Sequence, residues 1–353
     1  MSKEALAIKY RPTTFEDVVE QDEIKVILKN QVDTETVKSA YLFCGPAGDG
    51  KTTLARIFAN AINKGKGLPI ELDAASNNSV EDIRNVIEEA KTKPLKGDYK
   101  IFIIDEAHMI TPQGWNAFLK TLEEPPATAI FIMATTDPQK IPNTILSRVQ
   151  RYNFQKISMQ GIVNRLVYIL GQEYPSATIS NTLSIGADRE AIEYIAKLAD
   201  GGMRDAITMM DKCLSFSENL TLENVVSCLG TIDYGTMFNL TNFIFDSNLK
   251  GAIGIIEDIY NSGKDIKLFV KQYLIFLLDV RKYFIGCDWA YIQMPSLEDY
   301  KSWLNSCGDY EKLKTLEILK AITMLNSDIK YSQYAKADIE VVLMGLIDND
   351  RSE

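Results

Sequence analysis

Along the first 160 residues, short runs of β-branched and aromatic residues alternate with stretches of helical length. The runs are YLFCG (41–45), LPIELDAA (68–75), KIFIIDE (100–106) and AIFIMATT (129–136). Apolar runs with little polar alternation, separated by helix-length segments, predict strands of a parallel sheet covered on both faces. The expected product is an α/β nucleotide-binding core over residues 1–158. After about Phe154 the strand signal ends and apolar residues recur at helical spacing, as at Ile192, Ile195 and Leu198. A small helical domain is expected over 159–217. The polar stretch SFSENLTLEN (215–224) is the expected linker to a third, also helical, domain over 218–353.

A chain of 353 residues exceeds what one compact core usually holds, so two or three domains fit its length. Apolar residues make up 46% of it, which argues against disorder. Runs such as Tyr273–Leu278 fall far short of the roughly 20 residues a membrane span needs, and MSKEALAIKYRP has no signal-peptide core. The expectation is a soluble, cytoplasmic protein without a membrane partner. Five cysteines (Cys44, Cys213, Cys228, Cys287, Cys307) are widely scattered, with one histidine in the chain, His108. Neither a standard zinc site nor a disulfide framework follows from that spacing, so the thiols are expected to be small apolar residues in a reducing compartment.

The net charge of −10 argues against coating nucleic acid through the overall field. Counted by segment it is −1 for residues 1–160, −3 for 161–220 and −6 for 221–353. Any contact with DNA should therefore come from local basic patches in the first segment.

The string Gly45-Pro46-Ala47-Gly48-Asp49-Gly50-Lys51-Thr52 fits the phosphate-loop pattern GxxxxGK[ST]. It lies between the strand YLFC and the helix TTLARIFANAI, where backbone N–H groups can converge on phosphate oxygens at a helix N-terminus. Lys51 should reach the β and γ phosphates of ATP, and Thr52 should ligate Mg²⁺, with Thr53 beside it at the binding surface. The plain alternative is a glycine-rich turn that binds nothing. The apolar strand 101–104 ends in Asp105-Glu106, which places two carboxylates at the sheet edge beside that loop. Asp105 would hold Mg²⁺ through its water shell and Glu106 would polarise the attacking water. The alternative for this pair is capping of the next helix. His108 completes the string DEAH, also a helicase box, and is expected to have a positional or packing role. Thr136, at the end of the fourth run, is a candidate sensor of the γ-phosphate or attacking water. Arg148, after Ser147, is expected to serve the ATP of a neighbouring subunit as an arginine finger, against a plain surface salt bridge. Arg204, in the first turn after Gly201-Gly202, could close over the γ-phosphate or simply be solvated.

Together these strings resemble the AAA+ clamp-loader ATPases of the bacterial DNA polymerase III gamma/tau type. The matching segments are ALAIKYRPTTFEDVVEQ (5–21), GPAGDGKTTLAR (45–56), ELDAASNNSVEDIR (71–84), IFIIDEAHMIT (101–111), NAFLKTLEEPP (116–126), ATTDPQKIPNTILSR (134–148) and GGMRDA (201–206). Phosphate loops are widespread, whereas TLEEPP, ATTDPQKIP and the N-terminal YRP string are specific. The resemblance implies an AAA+ domain, a helical lid and a helical collar that joins subunits into a pentamer. It also implies that Lys9, Tyr10, Arg11, Pro12 and Val18 border the adenine pocket. The family's Ser-Arg-Cys motif is here Ser147-Arg148-Val149, keeping the arginine and losing the cysteine. Between ANAIN and ELDAASN only KGKGLP intervenes, where gamma/tau-like proteins usually carry a four-cysteine zinc module. The C-terminal tail of the long tau form is not expected either, and a compact form from a phage or a divergent bacterium would fit both departures.

The implied function is an ATPase subunit that opens a sliding clamp and loads it on primer–template DNA with other loader subunits, using ATP and Mg²⁺ and no zinc. The helix SVEDIRNVIEEA and the basic stretch KTKPLKG (91–97) are candidate contacts to clamp or DNA. Two alternatives are a structural loader subunit that binds nucleotide poorly and an AAA+ DNA motor of the branch-migration type. The intact phosphate loop speaks against the first, and the acidic helical region 225–353 against the second. A DEAH-box helicase would need a second α/β half.

Overall fold

The computed structural model describes residues 4–174, 188–217, 219–230, 234–287, 292 and 297–348, and for 297–300 the backbone alone. Two compact units divide the chain: Met1–Ser184 with Ile195–Asp211, and Ile185–Tyr194 with Lys212–Glu353.

The first unit is built on five parallel strands, β1 (Ala40–Cys44), β2 (Ile70–Asp73), β3 (Lys100–Asp105), β4 (Ala129–Thr135) and β5 (Gln150–Asn153), in the order β2-β3-β4-β1-β5. β1 and β4 are buried along their whole length, as a strand covered on both faces must be. The pleat sends successive residues to opposite faces. Leu42, Phe102, Ile104, Phe131 and Met133 meet Ile83, Val86, Trp115, Phe118 and Leu122, which come from α4 (Val80–Ala90) and α5 (Pro112–Glu123). Tyr41, Phe43, Ile101, Ile103, Ile130 and Ile132 meet Leu28, Leu54, Phe58 and Ile62 of α2 (Asp22–Asp33) and α3 (Lys51–Ile62). Burying each such side chain contributes about 1.5–3 kcal/mol, so this core supplies the rigidity on which the loops stand. The phenol of Tyr41, deep in it, is satisfied by donating to Gln31 Oε1 at 2.8 Å and accepting from Lys38 N at 2.6 Å.

Four of the strands match the apolar runs of the sequence. β5 does not: its sequence, QRYN, buries only Tyr152 and shows no apolar run. It is an edge strand, as is β2, where exposure alternates and only four of the eight residues of LPIELDAA form the strand.

The register aligns Cys44 with Thr135 and with Asn153, and Asp73 with Asp105. All the strand ends that carry candidate chemistry therefore meet at one carboxyl edge. The short connection KGKGLP is closed by Asn63, whose side chain accepts from the backbone N–H of Asp98 and Tyr99 and donates to Tyr99 O. Those bonds tie it to the loop after α4, which contains KTKPLKG. α4 itself begins with the Ser79–Asp82 capping box. Also in this unit are α1 (Leu6–Lys9), α6 (Asn143–Leu146), α7 (Met159–Glu173), capped by Ser158, and the first nine residues of α9 (Met203–Phe216). The α1 segment is pinned by Leu6 N donating to Asp211 Oδ2 at 3.0 Å and Tyr10 Oη donating to Glu173 Oε1 at 2.7 Å.

The second unit is helical. α8 (Arg189–Leu198) leads from its first segment, and α10 (Leu222–Leu229), α11 (Tyr234–Phe245), α12 (Leu249–Asn261), α13 (Ile266–Phe284), α14 (Leu297–Ser306), α15 (Asp309–Asp328) and α16 (Ala335–Asp348) follow. Its core gathers Leu240, Ile256, Phe269, Tyr273, Phe276, Ile318, Ile322 and Leu343. Two buried polar contacts cross it: Tyr273 Oη with Thr241 Oγ1 at 3.0 Å, and Lys314 Nζ donating to Leu346 O at 2.7 Å. The stretch expected as a linker, 215–224, contributes the end of α9 and, with Thr221 as cap, the start of α10.

Two of the five cysteines, Cys44 and Cys213, are buried, and the other three are half-buried. Burial pushes the Cys213 thiol up to about 12 and that of Cys307 up to about 11, with neighbouring Cys228 and Glu311 adding to each, so both stay protonated and inert at neutral pH. Among the described residues no helix is long and apolar enough to cross a membrane, and no group of three His, Cys, Asp or Glu side chains converges to hold a metal.

Candidate functional site

A cleft of about 220 Å³ opens at the carboxyl edge of the sheet in the first unit. Its floor is the loop between β1 and α3. Gly48 and Gly50 there adopt φ of +76° and +97°, a region that side chains rarely enter. Gly48 is required on a second ground, because a Cβ there would lie 3.0 Å from the Cα of Gly202. The loop is held from that side by Met203 N donating to Gly48 O at 3.0 Å. α3 begins at Lys51 with no side-chain cap, so its first N–H groups and its dipole face the cleft.

Of the residues expected to contact nucleotide, Tyr10, Arg11, Pro12, Val18, Ala47, Gly48, Asp49, Gly50, Lys51, Thr52 and Thr53 line this cleft. So do Asp105, Glu106, Thr136 and Arg204. Gly45 and Pro46 do not line it, but both present carbonyls to Lys51, at 2.8 Å in the case of Gly45. Arg148 lies elsewhere, at the end of α6. Its guanidinium donates to Thr144 O at 2.6 Å, to Ser147 Oγ at 3.0 Å and to Glu123 Oε1 at 2.5 Å, on a partly exposed surface.

Thr52 Oγ1 donates to Asp105 Oδ2 at 2.7 Å. The chain thus brings a hydroxyl and a carboxylate, both hard oxygen donors, together at the cleft. That donor set suits Mg²⁺, which takes one or two protein oxygens beside phosphates and water.

Glu106 follows in a left-handed conformation, φ 47° and ψ 43°, which for a residue with a side chain costs about 1–3 kcal/mol. Such strain persists where the surroundings enforce it. Asp105 Oδ1 accepts from Glu106 N at 2.9 Å, and Thr136 Oγ1 donates to Glu106 Oε2 at 3.0 Å. His108 Nδ1 stands 3.3 Å from the same Oε2 and 3.1 Å from Thr135 Oγ1. His108 therefore orients Glu106 from behind, in keeping with a positional role.

The electrostatics favour an anion. Burial lowers the pKa of Arg11, and the like charges of Arg56 and Arg204 lower it further, against Glu71 and Asp105. A guanidinium stays protonated under such shifts. Arg11 is thus a partly desolvated cation among cations, which a polyphosphate would relieve.

Sequence reasoning missed Ala7, Val19, Ile157, Arg165, Met203 and Ile207, which also line the cleft. Arg165 donates to Tyr10 O at 2.8 Å and packs over Tyr168, so it braces the N-terminal segment against α7. A single arginine on an amphipathic helix carries no signal that sets it apart from a solvated one.

Three family models match in succession: DNA polymerase III, delta subunit, over residues 68–158; DNA polymerase III clamp loader subunit, ATPase lid domain, over 161–219; and DNA polymerase III subunits gamma and tau domain III, over 220–351. The chain is 38% identical over 305 residues to the DNA polymerase III subunit tau of Bacillus subtilis, covering 80% of itself and 52% of that protein. It is 32% identical over 299 residues to the DNA polymerase III subunit gamma of Buchnera aphidicola subsp. Schizaphis graminum, covering 78% of itself and 80% of that protein. It thus spans about half the length of the tau relatives and most of that gamma relative. A solved structure of a Thermotoga maritima RuvB point variant shares the fold at 16% identity and a TM-score of 0.50, over 82% of this chain and 91% of that one.

Proposed function

Because the chain belongs to the DNA polymerase III gamma/tau family, we propose that it is an ATP-hydrolysing subunit of a sliding-clamp loader. The observation that carries the reading is the meeting of the phosphate loop, the Thr52–Asp105 pair and Glu106 in one cationic cleft. On this reading residues 1–158 form the AAA+ domain, 159–217 the lid and 218–353 the collar. The partners are a sliding clamp, the other subunits of a pentameric loader and primer–template DNA, in the cytoplasm. DNA is gripped through phosphates rather than bases, with KTKPLKG as a local basic contact.

The adenine end of ATP lies against Tyr10, Pro12 and Val18, and the phosphates lie over the N-terminus of α3. Lys51 and Arg204 meet the phosphate oxygens. Thr52 and Asp105 would hold Mg²⁺, which would supply positive charge to offset that of the phosphates. Glu106 accepts a hydrogen bond from the water that attacks the γ-phosphorus, and Thr136 fixes the direction of its carboxylate. As the new P–O bond forms, the bond to the β–γ bridging oxygen breaks and ADP leaves. ATP binding at subunit interfaces assembles the complex that opens the clamp, and hydrolysis releases the clamp closed on DNA.

Glu106→Gln tests the reading. The amide keeps the shape and the Thr136 contact and loses the carboxylate, so ATP should bind normally while single-turnover phosphate release falls about 10²- to 10⁴-fold. The variant should also accumulate clamp–DNA complexes. Phosphate release at the wild-type rate would remove Glu106 from the chemistry.

Mg²⁺ is the one metal this reading needs. Elemental analysis of the purified chain should find less than about one zinc per ten chains, since scattered cysteines and one histidine offer no tetrahedral set. One tightly held zinc per chain would overturn that part.

A further inference from the structure

Asp49 occupies a variable position of the phosphate loop, and its side chain is only 1% exposed. One carboxylate oxygen, Oδ1, accepts from Lys51 Nζ at 2.9 Å and from Lys51 N at 3.3 Å. The other, Oδ2, is buried without a hydrogen-bond partner. It is wedged beneath the loop, since a Cβ on Gly45 would come within 2.3 Å of it. The buried carboxylate itself cannot bind phosphate, which leaves the backbone N–H of Asp49 as what its place in the motif offers a nucleotide.

Lys51 is itself 6% exposed. An ammonium has three N–H groups, and here all three are used by the loop: Gly45 O, Pro46 O and Asp49 Oδ1. A phosphate oxygen can gain Lys51 only by displacing one acceptor. Two of the three are neutral backbone carbonyls, and the carboxylate is the one charged acceptor and so the strongest competitor. Once displaced, that carboxylate would be buried beside a polyanion, with one oxygen already orphaned. Both effects oppose nucleotide binding. Burial holds the Asp49 carboxyl above the usual carboxylate range, with Lys51 opposing the shift, as expected of an imperfectly compensated buried charge.

We propose that Asp49 competes with the nucleotide phosphates for the Lys51 ammonium and so sets a weakened affinity of this phosphate loop for ATP and ADP. This rests on the ATP-binding reading above and deepens it. Asp49 acts through Lys51 and is a positioning residue. Its consequence is that the isolated chain exchanges nucleotide readily, leaving tight retention of ATP to contacts that other loader subunits add.

The test is titration of the full chain with Mg-ATP and with Mg-ADP for wild type, Asp49→Asn and Asp49→Ala, each checked by thermal unfolding without nucleotide. Removing one charge-assisted bond from the competitor should tighten both nucleotides about ten- to a hundredfold. A strut whose loss merely loosened the loop would weaken binding and lower the unfolding temperature together, so tighter binding separates competition from support. Unchanged or weaker affinity in folded Asp49→Asn and Asp49→Ala overturns the proposal. Lys51→Ala, run alongside, separates the two readings. If it abolishes binding while the Asp49 variants fail to tighten it, competition alone is wrong; if it binds ATP like wild type, the loop is not the nucleotide site.

Discussion

Replacing Lys51 by Ala should reduce ATP affinity about 10²- to 10⁴-fold, below detection in an ordinary equilibrium titration. Two charge-assisted hydrogen bonds to phosphate oxygens, at about 1.5–3 kcal/mol each, sum to about 3–6 kcal/mol, and each 1.4 kcal/mol is a factor of ten. The backbone N–H groups of the loop and the dipole of α3 remain, so adenine and sugar contacts are unaffected. The substitution also acts on the unliganded fold. It strips Asp49 of its counter-ion in a site where the carboxylate is 1% exposed. Breaking one side of a buried pair typically costs about 3–5 kcal/mol, and protonation of Asp49 will offset part of that. Lys51→Ala should therefore unfold at a lower temperature than wild type, and Lys51→Ala/Asp49→Asn should regain stability without regaining ATP. Near-wild-type affinity in the folded double variant would show that Lys51 does not meet the phosphates.

What the sequence discloses, and what it hides, follows from burial. β1, β3 and β4 are legible because strands covered on both faces must be largely apolar, and the chemistry sits where each apolar run stops: Gly45 after β1, Asp105 at the end of β3 with Glu106 next, Thr136 after β4. Edge strands lack that constraint, so β5 leaves no apolar trace and β2 is shorter than its run. The phosphate loop is readable because its glycines answer to backbone geometry. The part played by Asp49 is not, because the motif leaves that position free and only packing turns its side chain under the loop toward Lys51. Arg165 and Glu123 escape for a related reason. Each is a charged residue on a helix, where solvation is the default, and only the fold brings one to Tyr10 O and the other to Arg148.

Arg148→Ala should leave ATP binding by the isolated chain unchanged within about twofold and lower stimulated hydrolysis in the assembled complex about 10³- to 10⁵-fold, the contribution of arginine fingers where measured. Arg148 does not line the cleft of its own chain, and its guanidinium is engaged with Glu123, Ser147 and Thr144. Acting on a neighbour's ATP requires releasing Glu123. That release is cheap: the pair is partly exposed on both sides, and such surface pairs contribute about 0–1 kcal/mol, whereas a 10³- to 10⁵-fold rate effect corresponds to about 4–7 kcal/mol of transition-state stabilisation. On the proposed reading, then, the Glu123 pair is no barrier to Arg148 acting across the interface. Mixed complexes distinguish a neighbour's site from the chain's own. Arg148→Ala subunits keep a competent phosphate loop and Lys51→Ala subunits keep a competent arginine, so at interfaces that join one of each, with the loop facing the arginine, hydrolysis should recover. An arginine that served its own ATP would leave every subunit in the mixture defective. If mixed complexes form and none of the activity returns, Arg148 does not act across the interface.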